Sequence, residues 1–239
     1  MSKLRAEDGM TLMEMLVAVT ISFVVLAATM GLLSSTLRLS GGVMSKTDAM
    51  QRGRLAMDRL TQELRSQVCL NLTTPAILPG ATADSVTFYS DFGPGDLTKP
   101  PDKRTISFDA TSGNITESIV KGTVNSDGSF NYGGTPVKSV IFENGSRQTR
   151  KVGGVDQAVP FLKYFAYEET GNPPVLRTSQ ELVPPLTDPA KAARVARIEV
   201  AFTARPTGAK DSANATDVED QVTVRHADPN LTVPDPMCV

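Results

Sequence analysis

The sequence predicts an α+β protein: a long N-terminal helix, transmembrane in its lower half, packed on a C-terminal antiparallel β-sheet domain. Residues 15–33 are apolar and carry no charge, and helix-compatible sequence then continues to about residue 70, with no proline before Pro75. From Ser85 onwards, apolar residues alternate with polar ones between turn clusters, which is the period of a β-strand. A helix followed only by strands is typical of α+β folds rather than of alternating α/β folds.

Residues 15–33 have the length of a membrane span. These 19 residues would reach roughly 28 Å as a helix, close to the thickness of the hydrocarbon core. A secretory signal peptide is a competing interpretation, because Lys3 and Arg5 precede the run and Ala28 supplies a small residue for cleavage. However, a signal peptide has an apolar region of only about 7 to 15 residues, and apolar sequence continues here beyond Ala28. The length therefore favours a transmembrane segment over about residues 12–33.

Glu14 stands at the start of this apolar run. A carboxylate beside hydrocarbon is costly, so such a residue is by default a functional residue whose partner has to be found. The alternative is that Glu14 lies at the level of the lipid headgroups, where its charge costs little. A plain single-pass anchor explains the length of the run but gives no reason for Glu14.

Residues 9–18 read Gly-Met-Thr-Leu-Met-Glu-Met-Leu-Val-Ala. This segment resembles the processing and assembly motif of type IV pilins and type II secretion pseudopilins. The resemblance implies that residues 1–9 are a leader, that prepilin peptidase cuts between Gly9 and Met10, and that Met10 is then N-methylated. Gly9 has no Cβ to obstruct the approach of the peptidase carboxylates. The acidic pair before Gly9 departs from the basic residues that are usual in the family.

The same resemblance gives Glu14, the fifth residue of the processed chain, a role in assembly. Its carboxylate would pair with the Met10 ammonium of a neighbouring subunit, and two charges that are each costly near lipid would be stable only together. The implied partners are prepilin peptidase, other pilin or pseudopilin subunits, the inner-membrane assembly platform and, before assembly, the lipid bilayer.

The resemblance also implies an arrangement of the whole chain. Residues 10–70 would form the long helix and residues 71–239 an extracytoplasmic β-rich domain, with the N-terminus on the cytoplasmic side of the inner membrane. The large soluble portion favours a minor subunit, and residues 52–65 resemble the same helix in J-type minor pseudopilins and W-type minor pilins. The expected function is that of a structural subunit that primes or caps a pseudopilus or pilus, and not that of an enzyme.

The second half of the predicted helix has an apolar stripe. The apolar residues at helical spacing predict a face packed on the sheet: Met50, Met57, Leu60, Leu64 and Val68. Ser40-Gly41-Gly42 interrupts the helical pattern and predicts a bend or a melted turn.

Short alternating segments predict the strands of the sheet. The candidates are residues 86–92, 106–108, 137–142, 161–167, 195–203 and 221–226. Clusters of Gly, Pro, Asn and Asp separate them at residues 93–101, 125–135, 144–155 and 170–175.

The composition offers little for catalysis or for metal binding, and no cofactor is expected. The single histidine, His226, lies in a strand-like run, and with only two cysteines the chain has no His/Cys metal site and no convincing triad. Four acidic residues are candidates for calcium, but their spacing fits no known loop and a solvated loop is favoured: Asp211, Asp217, Glu219 and Asp220.

A binding module for DNA uptake or adhesion is the alternative function. The net charge of −2 gives no global basic bias. The loose cluster of Arg147, Arg150 and Lys151 is the basic group in its favour, but a single-strand site of this kind also needs exposed aromatic residues along a basic stripe. Nucleic acid is therefore a partner that the sequence does not support, and an anchored extracytoplasmic enzyme is less favoured still.

The two cysteines are Cys69, near the end of the predicted helix, and Cys238, the penultimate residue. In the extracytoplasmic compartment that the resemblance implies, an even number of cysteines permits one disulfide. This bridge would tie the proline-rich tail back to the helix. The alternative is a buried Cys69 and a free Cys238, because chain termini are often frayed.

Overall fold

The computed structural model describes residues 11–70, 74–91, 99–170, 175–207 and 214–224, with side-chain surroundings for all of these except 167–170 and 175–179. The chain divides into two compact units, Met1–Ser45 and Lys46–Val239. The first unit contains the start of a long helix, and the second contains the end of that helix together with the β-sheets.

Helix α1 spans Leu12–Arg65, 54 residues without a break. The long helix predicted from the sequence is therefore confirmed, but the melted turn expected at Ser40-Gly41-Gly42 is wrong. Each glycine costs a helix only about 1 kcal/mol relative to alanine, and an established helix extends cooperatively through such residues. The hydroxyl of Ser45 also donates to the Gly41 carbonyl at 2.9 Å.

The first half of the β-domain forms a four-stranded antiparallel sheet. Its strands are β1 (Ser85–Ser90), β2 (Asp102–Asp109), β3 (Asn114–Val120) and, after the short hairpin of β4 (Thr123–Val124) and β5 (Phe130–Asn131), β6 (Val137–Phe142). The order is β1-β2-β3-β6, with Ile106 opposite Val86 and Glu117 opposite Ser139. We refer to this as the first sheet.

The second half of the domain forms another antiparallel sheet. This half contains β7 (Gly145–Ser146), a separate two-stranded hairpin of β8 (Thr149–Val152) and β9 (Val155–Ala158), then β10 (Leu162–Thr170), β11 (Val175–Leu182), the short helix α2 (Pro189–Ala193), β12 (Arg197–Ala204) and β13 (Thr216–Thr223). The order of the strands in this sheet is β11-β10-β12-β13. Strand β10 pairs with residues 197–200 of β12, and β7 pairs with Thr203 and Ala204 at the other end of the same strand. We refer to this as the second sheet.

The α+β prediction is confirmed, and most of the predicted strands exist. Strand β6 has the predicted bounds, and β1, β2, β10 and β12 overlap their predicted ranges. The last strand is displaced: β13 begins at Thr216, whereas residues 221–226 were predicted. Strands β3 and β11 were not predicted, and β7 to β9 fill a region expected to be turns.

Within the second unit, the end of α1 packs on both sheets through a face of small and aliphatic residues. Met57, Leu60 and Leu64 of the predicted stripe are buried in the core. Gly53 makes the closest approach, because a Cβ there would lie 2.9 Å from both the Ala204 Cβ and a Val218 methyl group. The core continues through the aromatic and aliphatic residues of the two sheets, among them Phe88, Ile106, Phe161, Ile198 and Phe202.

Candidate functional site

The N-terminus of α1 is closed by a reciprocal pair of hydrogen bonds between Thr11 and Glu14. The Glu14 backbone N–H donates to the Thr11 hydroxyl at 3.3 Å, and the Thr11 backbone N–H donates to the Glu14 carboxylate at 3.2 Å. The Thr11 hydroxyl also donates to the same carboxylate oxygen at 3.2 Å. This is a capping box, in which each side chain accepts from the backbone N–H of the other residue, two groups that have no acceptor inside the helix. Glu14 therefore has a local structural function in the single chain.

The helix that follows the cap presents apolar side chains to its surroundings. Leu12 is 83% exposed, Phe23 67% and Met44 71%. Arg38 is the single charged residue between Glu14 and Lys46. Water does not favour such a surface, since monomeric soluble proteins rarely expose contiguous apolar patches of more than a few hundred Å². The helix is long and apolar enough to cross a membrane.

Hydroxyl groups along this apolar stretch are satisfied inside the helix itself. The Thr20 hydroxyl, for example, donates to the Val17 carbonyl at 2.8 Å, and the Ser22 hydroxyl donates to the Ala18 carbonyl at 2.7 Å. The side chains that donate to a carbonyl three or four residues earlier are Thr20, Ser22, Thr29, Ser34, Ser35, Thr36 and Ser45. An unsatisfied donor would be costly in hydrocarbon, so this pattern makes the polar residues compatible with lipid.

The predicted cleavage site lies outside the described residues, because these begin at Thr11 and the site is the bond between Gly9 and Met10. Cleavage between Gly9 and Met10 and methylation of Met10 therefore remain predictions from the sequence. His226 and Asp211 also lie outside the described residues.

Cys69 follows the end of α1 and is partly buried against the core. It is bonded in a disulfide. Cys238, the other cysteine of the chain, lies outside the described residues. The pairing of Cys69 with Cys238 therefore remains a prediction.

A cluster of buried charges joins α1 to the first sheet. Arg104 of β2 donates to Glu63 of α1 and to Glu117 of β3, each at 2.5 Å. Arg59, one turn before Glu63, donates to the other Glu117 oxygen at 2.8 Å. Asp102 lies 3.6 Å from Arg104. We call Arg59, Glu63, Arg104 and Glu117 the charge cluster.

Burial sets the energetics of the charge cluster. Glu117 is 1% exposed and Arg104 9%, so each loses nearly all its hydration. Burial raises the pKa of Glu63 above its ordinary value, while attraction to Arg104 opposes this rise and repulsion from Glu117 adds to it. Two guanidinium groups facing two carboxylates keep the cluster close to neutral, which is the condition under which such buried charges are tolerated.

The sequence contains a signal for this cluster, a charged residue at an inward position of each of two strands. Arg104 precedes Ile106 and Phe108 at alternate positions of β2, and Glu117 lies between Ile115 and Ile119 in β3. A charge on the inward face of a strand is tolerated only beside an opposite charge. These two positions therefore indicate that Arg104 and Glu117 each have a buried partner, although sequence alone does not identify it.

Among the described residues, the acidic candidates from the sequence form no group that could hold a metal ion, and two of the basic candidates contact carboxylates. Asp217, Glu219 and Asp220 lie on β13, and no group of three His, Cys, Asp or Glu side chains in the described ranges is placed to hold a metal ion. Arg147 pairs with Asp84, and Arg150 lies 3.4 Å from Glu219. Carboxylates thus offset two of the three cations proposed for DNA.

Comparisons with known proteins found no matching family model, no similar curated protein and no similar solved structure. The fold and the exposed helix define the class: an α+β protein with one N-terminal apolar helix that could span a membrane.

Proposed function

We propose that the chain is a type IV pilin-like subunit, a minor pilin or pseudopilin that prepilin peptidase processes and that joins a pilus or a type II secretion pseudopilus. The observation that carries this proposal is the combination at the start of α1. An exposed apolar helix begins at Leu12, two residues after Met10, and its third residue is the carboxylate that the motif requires. The α+β architecture, with the end of that helix packed on antiparallel sheets, supports the same proposal.

The apolar helix would have two successive surroundings. Before assembly it spans the inner membrane once, with its N-terminus in the cytoplasm and the β-domain outside. In the filament it packs against the helices of neighbouring subunits. Both are apolar, so the exposed side chains and the internally satisfied hydroxyls suit either one.

The capping box adds a second function to the proposed assembly function of Glu14. Its carboxylate already accepts the Thr11 N–H, and cleavage would place a new ammonium on the adjacent residue, Met10. The cap therefore holds the carboxylate at the N-terminal end of the helix, where the helix dipole places a partial positive charge. In this proposal the Met10 ammonium of a neighbouring subunit completes the site.

Cleavage between Gly9 and Met10 is the direct test. Intact mass of the protein extracted from membranes should show the loss of residues 1–9 and the addition of one methyl group, and Gly9→Val should leave the full-length precursor in the membrane. A mature chain that keeps Met1, or that starts after Ala28, would refute the proposal.

A matched pair of variants separates the two functions of Glu14. Glu14→Gln keeps an acceptor for the Thr11 N–H but removes the charge, whereas Glu14→Leu removes both. Both should be inserted and cut. If the charge serves assembly, both should fail to enter the filament, which fractionation of sheared filaments measures. Normal incorporation of Glu14→Gln would show that Glu14 acts only as a helix cap.

A further inference from the structure

The end of α1 lies between the two strands that terminate the sheets. Strand β6 is the last strand of the first sheet, and β13 is the last strand of the second. A groove on one flank of the helix is lined by Arg52, Leu55, Arg59 and by residues 140–143 at the end of β6. A second groove, on the opposite flank, is lined by Met50, Arg54, Met57, Asp58 and residues 216–220 of β13. We call these the β6 groove and the β13 groove.

The lining of the β6 groove holds two guanidinium groups, those of Arg52 and Arg59, against one exposed carboxylate, that of Glu143, together with apolar side chains. Leu55 is 70% exposed, and Val140 is also exposed. Arg52 and Arg59 contact Asp48 and Glu117 within the chain, but their side chains remain 30% and 45% exposed. A guanidinium has five N–H donors in a fixed fork, so each retains capacity for another carboxylate.

The β13 groove is acidic. Asp217, Glu219 and Asp220 of β13 and Asp58 of α1 are exposed, against one cation, Arg54, in the same lining. Half-buried Met50 supplies an apolar side chain beside them. Charges along an edge strand prevent unspecific pairing, and they also select a partner of the opposite charge.

We propose that the β6 groove of one chain binds the acidic β13 edge of a second copy of the same chain. Both halves of the contact are present on each molecule, on opposite flanks of one helix: basic and apolar on one flank, acidic and apolar on the other. Carboxylates of β13 contact Arg52 and Arg59, and the apolar side chain of Leu55 is covered.

This contact is heterologous, because it joins two different surfaces of identical molecules. Such a contact repeats from copy to copy and gives a ring or an open helical array. The proposal rests on the proposed filament function for its biological setting. The proposal names the surface through which the β-domains of adjacent copies make contact. The motif at residues 9–18 does not specify this surface.

Photo-crosslinking of the full-length chain in membranes tests the contact. Benzoylphenylalanine at position 55 should give a dimer of the chain, with the attachment point in residues 216–223. A product with another protein, an attachment point elsewhere, or no dimer at all would overturn the proposal.

A second experiment changes the charges of the two surfaces and measures the yield of crosslinked dimer, with benzoylphenylalanine at position 140. Leu55→Glu places a carboxylate between Arg52 and Arg59, and Glu219→Lys with Asp220→Lys reverses the β13 edge. Each variant alone should lower the dimer yield about tenfold, because like charges would then face each other across the contact. Gln62→Glu adds the same charge two turns further along the helix and should leave the yield unchanged.

Mixing the variants guards against misfolding as an explanation. The β6 groove of Leu55→Glu and the β13 edge of the double-lysine variant again have opposite charges, so co-expression should restore the crosslink between them. Failure to restore it would refute the pairing. Cleavage after Gly9 is measured on the same samples: a crosslink without cleavage would refute the proposed function alone, and cleavage without a crosslink would refute this contact alone.

Discussion

Arg104→Met removes the guanidinium at the centre of the charge cluster while keeping an unbranched side chain of similar reach. Glu117 keeps Arg59 at 2.8 Å, but Glu63 loses the guanidinium at 2.5 Å and stays buried. Breaking a buried pair by removing one partner costs about 3 to 5 kcal/mol, since Glu63 then stays buried with only the attraction of Arg59, which already pairs with Glu117. We expect the free energy of unfolding at pH 7 to fall by that amount.

The loss should depend on pH. With Arg104 absent, the pKa of Glu63, which burial already raises, rises further, and a protonated Glu63 no longer carries an unpaired charge. The destabilisation should therefore be clearly smaller at pH 5 than at pH 7. Urea-dependent proteolysis of the full-length chain in detergent measures both values. Lys103→Met is the matched control, because Lys103 is the adjacent residue of β2 and points to the other face of the sheet. A loss below about 1 kcal/mol, or an equal loss at both pH values, would contradict this account of the cluster.

Three other changes have defined outcomes. Glu63→Gln should flatten the pH dependence of stability. The pKa of Glu63 is raised in the folded state, so the contribution of Glu63 to the free energy of unfolding falls as the pH rises from the ordinary value of 4.5 through the folded pKa. The difference between the free energies of unfolding of wild type and variant, measured across pH, isolates this contribution. Gly53→Ala should destabilise by about 1 to 3 kcal/mol, because a Cβ there meets two side chains at 2.9 Å, whereas Gly41→Ala, with nothing within 4 Å, should show no loss in the same urea assay. Cys69→Ser should lower stability by up to about 5 kcal/mol if the bridge closes to Cys238, and Cys238→Ser by a similar amount; two free thiols in the unfolded, unreduced chain would exclude that bridge.

The elements that the sequence predicted well are those whose pattern depends on burial alone. The long helix follows from apolar spacing and from the absence of proline, and β6 has the predicted bounds, Val137–Phe142. The face of α1 that docks on the sheets was also predictable, because Met57, Leu60 and Leu64 recur at helical spacing.

Two of the strands that were missed or displaced, β3 and β13, carry charge where alternation requires apolar residues. In β3 the inward position between Ile115 and Ile119 is occupied by Glu117, which is tolerated because Arg59 and Arg104 come from other elements. Asp217 to Asp220 similarly concealed the start of β13, where Val218 is the buried residue. Such positions depend on tertiary partners, which a local pattern cannot supply.

The candidate site also contains one feature that depends on local sequence and others that depend on tertiary partners. Thr11 and Glu14 are three residues apart, so their capping box is a local feature that sequence reasoning could have included alongside the assembly motif. The charge cluster is not local, since it joins Glu63 to a residue 41 positions later. Sequence alone identified neither the pairing nor the two grooves beside α1.

The internally bonded hydroxyls of α1 have a mechanical consequence. Thr20, Ser22 and Thr29 donate their hydroxyl hydrogens to carbonyls of their own helix, so they have no donor left for an adjacent helix. In the proposed filament, neighbouring helices that meet along this stretch would be held chiefly by contact area, which changes little when one helix slides or rotates against another. In the proposed assembly, the Glu14 carboxylate at the start of the helix would be the charged group that fixes their axial stagger. A bundle built in this way should lengthen under load by gliding, and should return to its original spacing when each carboxylate regains its ammonium.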